Sequence, residues 1–215
     1  MQHSLRQSSS QTALWVKAQT RYQSGMTVEA ANYLRGRGIS KEGAQSAGLG
    51  VVNDPILGHE RFVGMISIPY ITRHVPVVGW KFRRMSGDGP KYDSPSGQKA
   101  RLYGAHTLTN ADTLLVCEGE FDAILAHQIT GLPAVGVPGV SAWKAHYASV
   151  IDGYPRVLVL ADNDASREDN PGRALARKIC EQAPQASAID LPPGDLTDFV
   201  MAGGSIHDLI KEDAA

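Results

Sequence analysis

Cysteine is nearly missing from this chain. In 215 residues only Cys117 and Cys180 occur, which excludes a disulfide-stapled scaffold and any zinc site built from cysteines alone. Aromatic residues are sparse at 7%, and no apolar run approaches the roughly 20 residues that a membrane helix requires. Residues 1–12 are rich in Ser and Gln and contain no apolar stretch. They read as a frayed end rather than a secretory signal, and a cytoplasmic protein is the expectation. The 7 histidines are scattered without ligand spacing, which argues against a histidine metal site. No G-x-G-x-x-G turn follows the first apolar strand, so a dinucleotide-binding fold is disfavoured. At 42% hydrophobic and 20% charged, the composition suits a globular protein of one or two domains with a buried core.

The net charge of −1 conceals an asymmetry: residues 1–105 carry +8 and residues 106–215 carry −9. Such a split points to two parts with different electrostatic tasks, a polyanion held by one and cations by the other. The pattern of elements changes at the same place. Helical spacing over Ala13–Ser24 and Thr27–Gly36 precedes short β-rich segments between Arg61 and Arg83, broken by Pro and Gly, which predict antiparallel strands. Residues 86–97 form a loop rich in Gly, Pro, Ser and Asp.

From residue 113 the rhythm is strand, helix, strand. Apolar runs at Thr113–Cys117, Pro133–Val137, Arg156–Ala161 and Ala186–Leu191 alternate with helical segments: Phe121–Ile129 closed by Gly131, one capped by Ser141 and reaching Ile151, and one capped by Asn170 with Pro171 in its first turn. Short helices follow Asp195 and Ser205. This alternation predicts a parallel sheet covered on both faces.

The acids are placed where such a sheet binds ligands. Glu118, Glu120 and Asp122 begin where the first of these strands ends, Asp162 and Asp164 where the third ends, and Asp195 and Asp198 follow the fourth. In extended backbone residues two apart share a side, so Asp162 and Asp164 are able to share one ion. Converging carboxylates repel unless cations neutralise them, and oxygen-only ligands select hard ions such as Mg²⁺ or Mn²⁺. Helix N-capping is the competing explanation for Glu120, Asp122 and Asp195.

The segment Glu118-Gly119-Glu120-Phe121-Asp122, followed later by Asp162-Asn163-Asp164, resembles the Toprim domain of bacterial-type primases, topoisomerases and some nucleases. The resemblance implies Glu118, Asp162 and Asp164 as catalytic residues, and these three with Asp122, Asp195 and Asp198 as metal ligands. Upstream, Tyr33-Leu34-Arg35-Gly36-Arg37-Gly38-Ile39, Arg61 to Pro69, Val78-Gly79-Trp80-Lys81-Phe82-Arg83, Pro90-Lys91-Tyr92-Asp93-Ser94-Pro95 and Lys99-Ala100-Arg101-Leu102-Tyr103-Gly104 resemble, in order, the polymerase core that precedes Toprim in bacterial and phage-type (DnaG-like) DNA primases.

That likeness implies an α/β fold: an N-terminal mixed α+β lobe over 1–107, a Toprim domain with a Rossmann-like parallel sheet over 108–205, and a C-terminal tail over 206–215. It also implies primer synthesis from NTPs on a single-stranded DNA template. Lys81, Arg83, Arg84, Lys91, Tyr92, Lys99 and Arg101 are the expected nucleic-acid and nucleotide contacts, with Trp80 and Tyr92 available to stack on bases. Family members carry a cysteine-rich zinc domain and a helicase-linked region that this sequence lacks. A replicative helicase and a separate zinc-binding primase subunit are therefore expected partners, and a phage origin with action in the host cytoplasm is the analogy. A Toprim nuclease, or a non-catalytic single-strand-binding protein, is the alternative.

Overall fold

The computed structural model describes residues 9–166 and 168–212, so part of the polar N-terminal segment, residues 1–8, lies outside it. The chain divides into two compact units, one formed by residues 1–35 and 40–99, the other by 36–39 and 100–215. Among the described residues no helix is long and apolar enough to cross a membrane.

In the first unit, α1 (Ser9–Ser24), α2 (Val28–Gly36) and α3 (Lys41–Ser46) accompany an antiparallel sheet. Its strands β1 (Gly50–Val51), β2 (Ile66–Tyr70), β3 (Gly79–Arg83) and β4 (Tyr92–Asp93) lie in that order. Two hydroxyls cap helix starts: that of Thr27 accepts the Ala30 N–H at 3.1 Å, and that of Ser40 accepts the Gly43 N–H at 2.9 Å. The period of two along β3 sends Trp80 and Phe82 to one face, where they meet Tyr22, His59, Phe62, Met65 and Val77. Phe62 and Phe82 stack with centroids 3.9 Å apart. His59 is buried, which lowers its pKa to about 4, and its Nδ1 lies 3.0 Å from the Tyr22 hydroxyl. Trp80 is thus fully buried core. The expectation that it stacks on bases is corrected, because it shares its face of β3 with Phe82 rather than with the basic residues.

In the second unit, β5 (Thr113–Cys117), β6 (Ala134–Gly136), β7 (Arg156–Leu160) and β8 (Ala186–Ala188) form the expected parallel sheet, in the order β6-β5-β7-β8. The crossovers are α4 (Glu120–Thr130), α5 (Ala145–Ile151) and α6 (Pro171–Gln182); α7 (Leu196–Met201) and α8 (Ile206–Glu212) follow. The fold is mixed α/β, as expected. Gly131 ends α4 in the left-handed conformation with φ 69°. Tyr103 forms an antiparallel bridge to Gly136 beside β6, which ties residues expected in the first lobe to the second unit.

Two element boundaries differ from expectation. No continuous helix runs from Ser141: a 3₁₀ turn (Val140–Ala142) precedes α5, because Trp143 leaves the helical path to bury its ring and donate its indole N–H to Gln182 at 3.0 Å. The fourth strand is shorter than the apolar run, and the Pro192-Pro193 pair lies just beyond it.

Candidate active site

The parallel pairing of β5 and β7 sets Cys117 opposite Leu160, so both strands leave the sheet at the same level and acids follow within two residues. Glu118 follows β5, and Asp162 follows β7 after Ala161. Between Asp162 and Asp164, Asn163 turns inward. Its backbone pairs both ways with Gly194, its Nδ2 donates to the Leu191 carbonyl at 2.7 Å, and its Oδ1 accepts from Asn170 Nδ2 at 3.0 Å. This tether fixes the loop that presents the two aspartates. Glu118 Oε2 accepts the Asp162 backbone N–H at 3.3 Å, joining the two strand ends. Gly172 at the start of α6 permits the approach: a Cβ there would collide with the Asp162 carbonyl and lie 2.8 Å from Glu118 Oε2.

The electrostatics are those of crowded anions. Burial, then the charges of Asp122, Glu118, Asp195 and Asp164, push the Asp162 carboxyl up to about 8. Burial raises Glu118 to about 7, reinforced by Asp164, Asp122 and Asp195 and opposed by the Asp162 N–H. Asp122 rises to about 6 through burial and Asp195, opposed by Arg37 and by the Thr197 hydroxyl, which donates to Asp122 Oδ1 at 3.2 Å. Asp162 Oδ1 is buried without a hydrogen-bond partner. An all-oxygen set holding a buried, unpaired carboxylate oxygen fits a hard divalent cation, although among the described residues no three carboxylates yet stand at ligand spacing.

Asp195 and Asp198 have a local structural role. They form the capping box of α7, with the Asp198 N–H on Asp195 Oδ1 at 2.7 Å and the Asp195 N–H on Asp198 Oδ2 at 3.3 Å. Asp195 Oδ2 also pairs with Arg37 at 2.9 Å. Sequence reasoning did not count Arg37 among the site residues, placing it only within the Tyr33–Ile39 segment that resembles the polymerase core. Gly36 and Gly38 on either side mark the end of the helix, but nothing in local spacing points to a partner 158 residues away.

The basic residues are gathered only in part. Arg83 and Tyr92 face each other across β3 and β4. Arg83 Cζ lies 4.6 Å from the Tyr92 ring centre and 5.6 Å from that of Tyr33, and its Nε donates to the Tyr33 hydroxyl at 2.7 Å. Lys81 Nζ lies 4.5 Å over the Tyr92 ring. Lys91 adjoins Arg84 through a backbone hydrogen bond of 3.0 Å. Lys99 is exposed at the end of the first unit, whereas Arg101, also exposed, belongs to the second.

Residues 113–205 match the Toprim domain family. The chain is 36% identical over 147 residues to the Gene 57 protein of Mycobacterium phage D29, covering 66% of this chain and 93% of that protein. It is 30% identical over 184 residues to the DNA primase of Escherichia coli K12, covering 79% of this chain but 32% of the primase, so it spans about a third of that relative's length. In structure it is similar to the Aquifex aeolicus primase comprising zinc-binding and RNA polymerase domains: TM-score 0.77, 20% identity, 99% of this chain and 63% of the other.

Proposed function

Because the chain belongs to the DnaG-like primases, with their Toprim-containing core, we propose that it synthesises short RNA primers from nucleoside triphosphates on single-stranded DNA. The observation that carries this reading is the acid set at the ends of β5 and β7: Glu118 and Asp162 are held up at about 7 and 8 by burial and mutual repulsion, with a buried Asp162 oxygen unpaired. Glu118, Asp162 and Asp164 would hold Mg²⁺ or Mn²⁺, with Asp122, Asp195 and Asp198 as further ligands or as support. Bound there, such an ion lowers the pKa of a 3′-hydroxyl and stabilises the charge that develops on the transferring phosphate.

The chain's own residues do the rest. In the reaction a 3′-oxygen bonds to the α-phosphorus of the next nucleotide, the bond to pyrophosphate breaks, and the hydroxyl proton leaves. Glu118, besides holding the ion, is the carboxylate assigned to take that proton. Lys81, Arg83, Arg84, Lys91, Lys99 and Arg101 hold template and triphosphate phosphates, the arginines as forks and the lysines as point charges. Tyr92 offers a ring to a base while orienting Lys81 and Arg83. A replicative helicase and a zinc-binding primase subunit are the partners this reading calls for, in the compartment that holds the replicating DNA, the host cytoplasm for a phage-borne copy.

The test is de novo synthesis on single-stranded DNA with labelled NTPs and Mg²⁺ or Mn²⁺, with and without a helicase and a zinc-domain protein. Di- and oligonucleotides that vanish in Glu118→Gln support the reading. Cleavage of DNA or RNA with no dinucleotide under any of these conditions replaces it with a Toprim nuclease; binding without either reaction leaves a non-catalytic single-strand-binding protein.

A further inference from the structure

Both carboxylate oxygens of Asp195 are engaged. Oδ1 accepts the Asp198 N–H at 2.7 Å, and Oδ2 accepts Nη2 of Arg37 at 2.9 Å. The two side chains are only 23% and 21% exposed, so solvent screens the pair incompletely. Arg37 is held in position by its neighbours. Gln128 Nε2 donates to the Gly38 carbonyl at 3.0 Å, and Gly38 adopts φ +74° against Leu125, a conformation and a closeness that suit glycine. Segment 36–39 belongs with the acidic unit although it is separated from it in sequence. A guanidinium keeps its proton, so this positive charge is permanent.

A divalent cation that reaches Asp195 Oδ2 meets a guanidinium already seated there, and two cations on one carboxylate repel. We propose that Arg37 is the resident counter-ion of the acidic cluster, and that it and a divalent cation are alternative partners of Asp195. The inference rests on the metal reading of the site. With Arg37 seated, Glu118, Asp162 and Asp164 load first. Asp195 takes part in a second ion only when the guanidinium moves away, so Arg37 sets how many ions the cluster holds at a given concentration.

The test is calorimetric titration of the full chain with Mn²⁺, comparing wild type, Arg37→Gln, Asp195→Asn and the double variant. Asparagine retains the oxygen that caps α7. Arg37→Gln is expected to bind the weaker Mn²⁺ about tenfold tighter, the scale of removing one unit charge from a partly shielded site, and this gain is expected to vanish in the Asp195→Asn background. A folded Arg37→Gln protein that binds Mn²⁺ no more tightly than wild type overturns the proposal, as does a gain that persists without Asp195. A second measurement needs no variant: the Arg37 side-chain N–H resonance of the wild type is expected to shift as Mg²⁺ loads the second position, and a resonance unmoved at saturation overturns the proposal. Wild-type protein that binds no Mn²⁺ overturns the metal reading together with the inference. Tight binding insensitive to Arg37 overturns the inference alone and leaves the metal reading standing.

Discussion

In the first unit, Lys81 and Arg83 lie 4.5 and 4.6 Å from a single tyrosine ring, and Arg83 also bonds the Tyr33 hydroxyl. In the second, Glu118, Asp122 and Asp162 sit together with Arg37 and one another's charges for company, and each is pushed above its ordinary pKa. An aromatic face attracts cations, which lets two like-charged side chains gather on one ring. Crowded carboxylates have no such accommodation. Their repulsion is relieved by protons or by cations brought from outside, and this is how a site spends stability on function.

The largest effect that bears on this contrast is Glu118→Gln. On the primase reading, primer synthesis is expected to fall by about a thousandfold, the scale for losing a group that stabilises developing charge, while single-strand binding by filter retention stays near wild type. Equal loss of both would erase the division of labour. Trp80→Ala comes next. It empties the aromatic core of the first unit, and chemical denaturation is expected to show a loss of about 3–5 kcal/mol without a change in Mn²⁺ affinity measured on folded protein at low temperature.

The third prediction concerns pH. The acids bind more protons folded than unfolded between their ordinary values near 4 and the raised ones near 6, 7 and 8, so the unfolded state holds fewer protons throughout that window. Stability of the metal-free protein is therefore greatest near pH 4 as far as these groups decide it, and falls steadily as pH rises to about 8. Melting temperatures in chelator against saturating Mg²⁺ should diverge as pH rises. Asp162→Asn should remove the upper part of the slope and raise the metal-free melting temperature. A flat metal-free profile would make the acidic unit no more strained than the basic one. The smallest effect is Tyr92→Ala, expected to weaken single-strand binding by about threefold to tenfold through loss of one stacking ring, read by fluorescence anisotropy at two salt concentrations. The steepness of the salt dependence should persist, because the cations remain.

Much of this was legible along the chain. The alternation of apolar runs with capped helices gave the parallel sheet, and Asn170-Pro171 and Gly131 marked helix ends where the structure has them. Carboxylates at strand ends were readable because chain direction in a parallel sheet brings those ends to one edge. Trp80 was misjudged because it sits among basic residues in sequence, while the pleat places it on the opposite face from Lys81.

The sequence by itself determined the elements, their order and the acids at their tips, since periodicity and capping act over a few residues and are written locally. Only the tertiary structure decided what each charge meets. Arg37 and Asp195 are 158 residues apart and pair at 2.9 Å, and Tyr33 reaches Arg83 across 50 residues. Capping was open to the sequence as a role for Asp195, and the structure joins to it the Arg37 partnership that local spacing does not reveal. Such partnerships arise from the packing of whole elements, and burial then fixes how strongly each charge is felt.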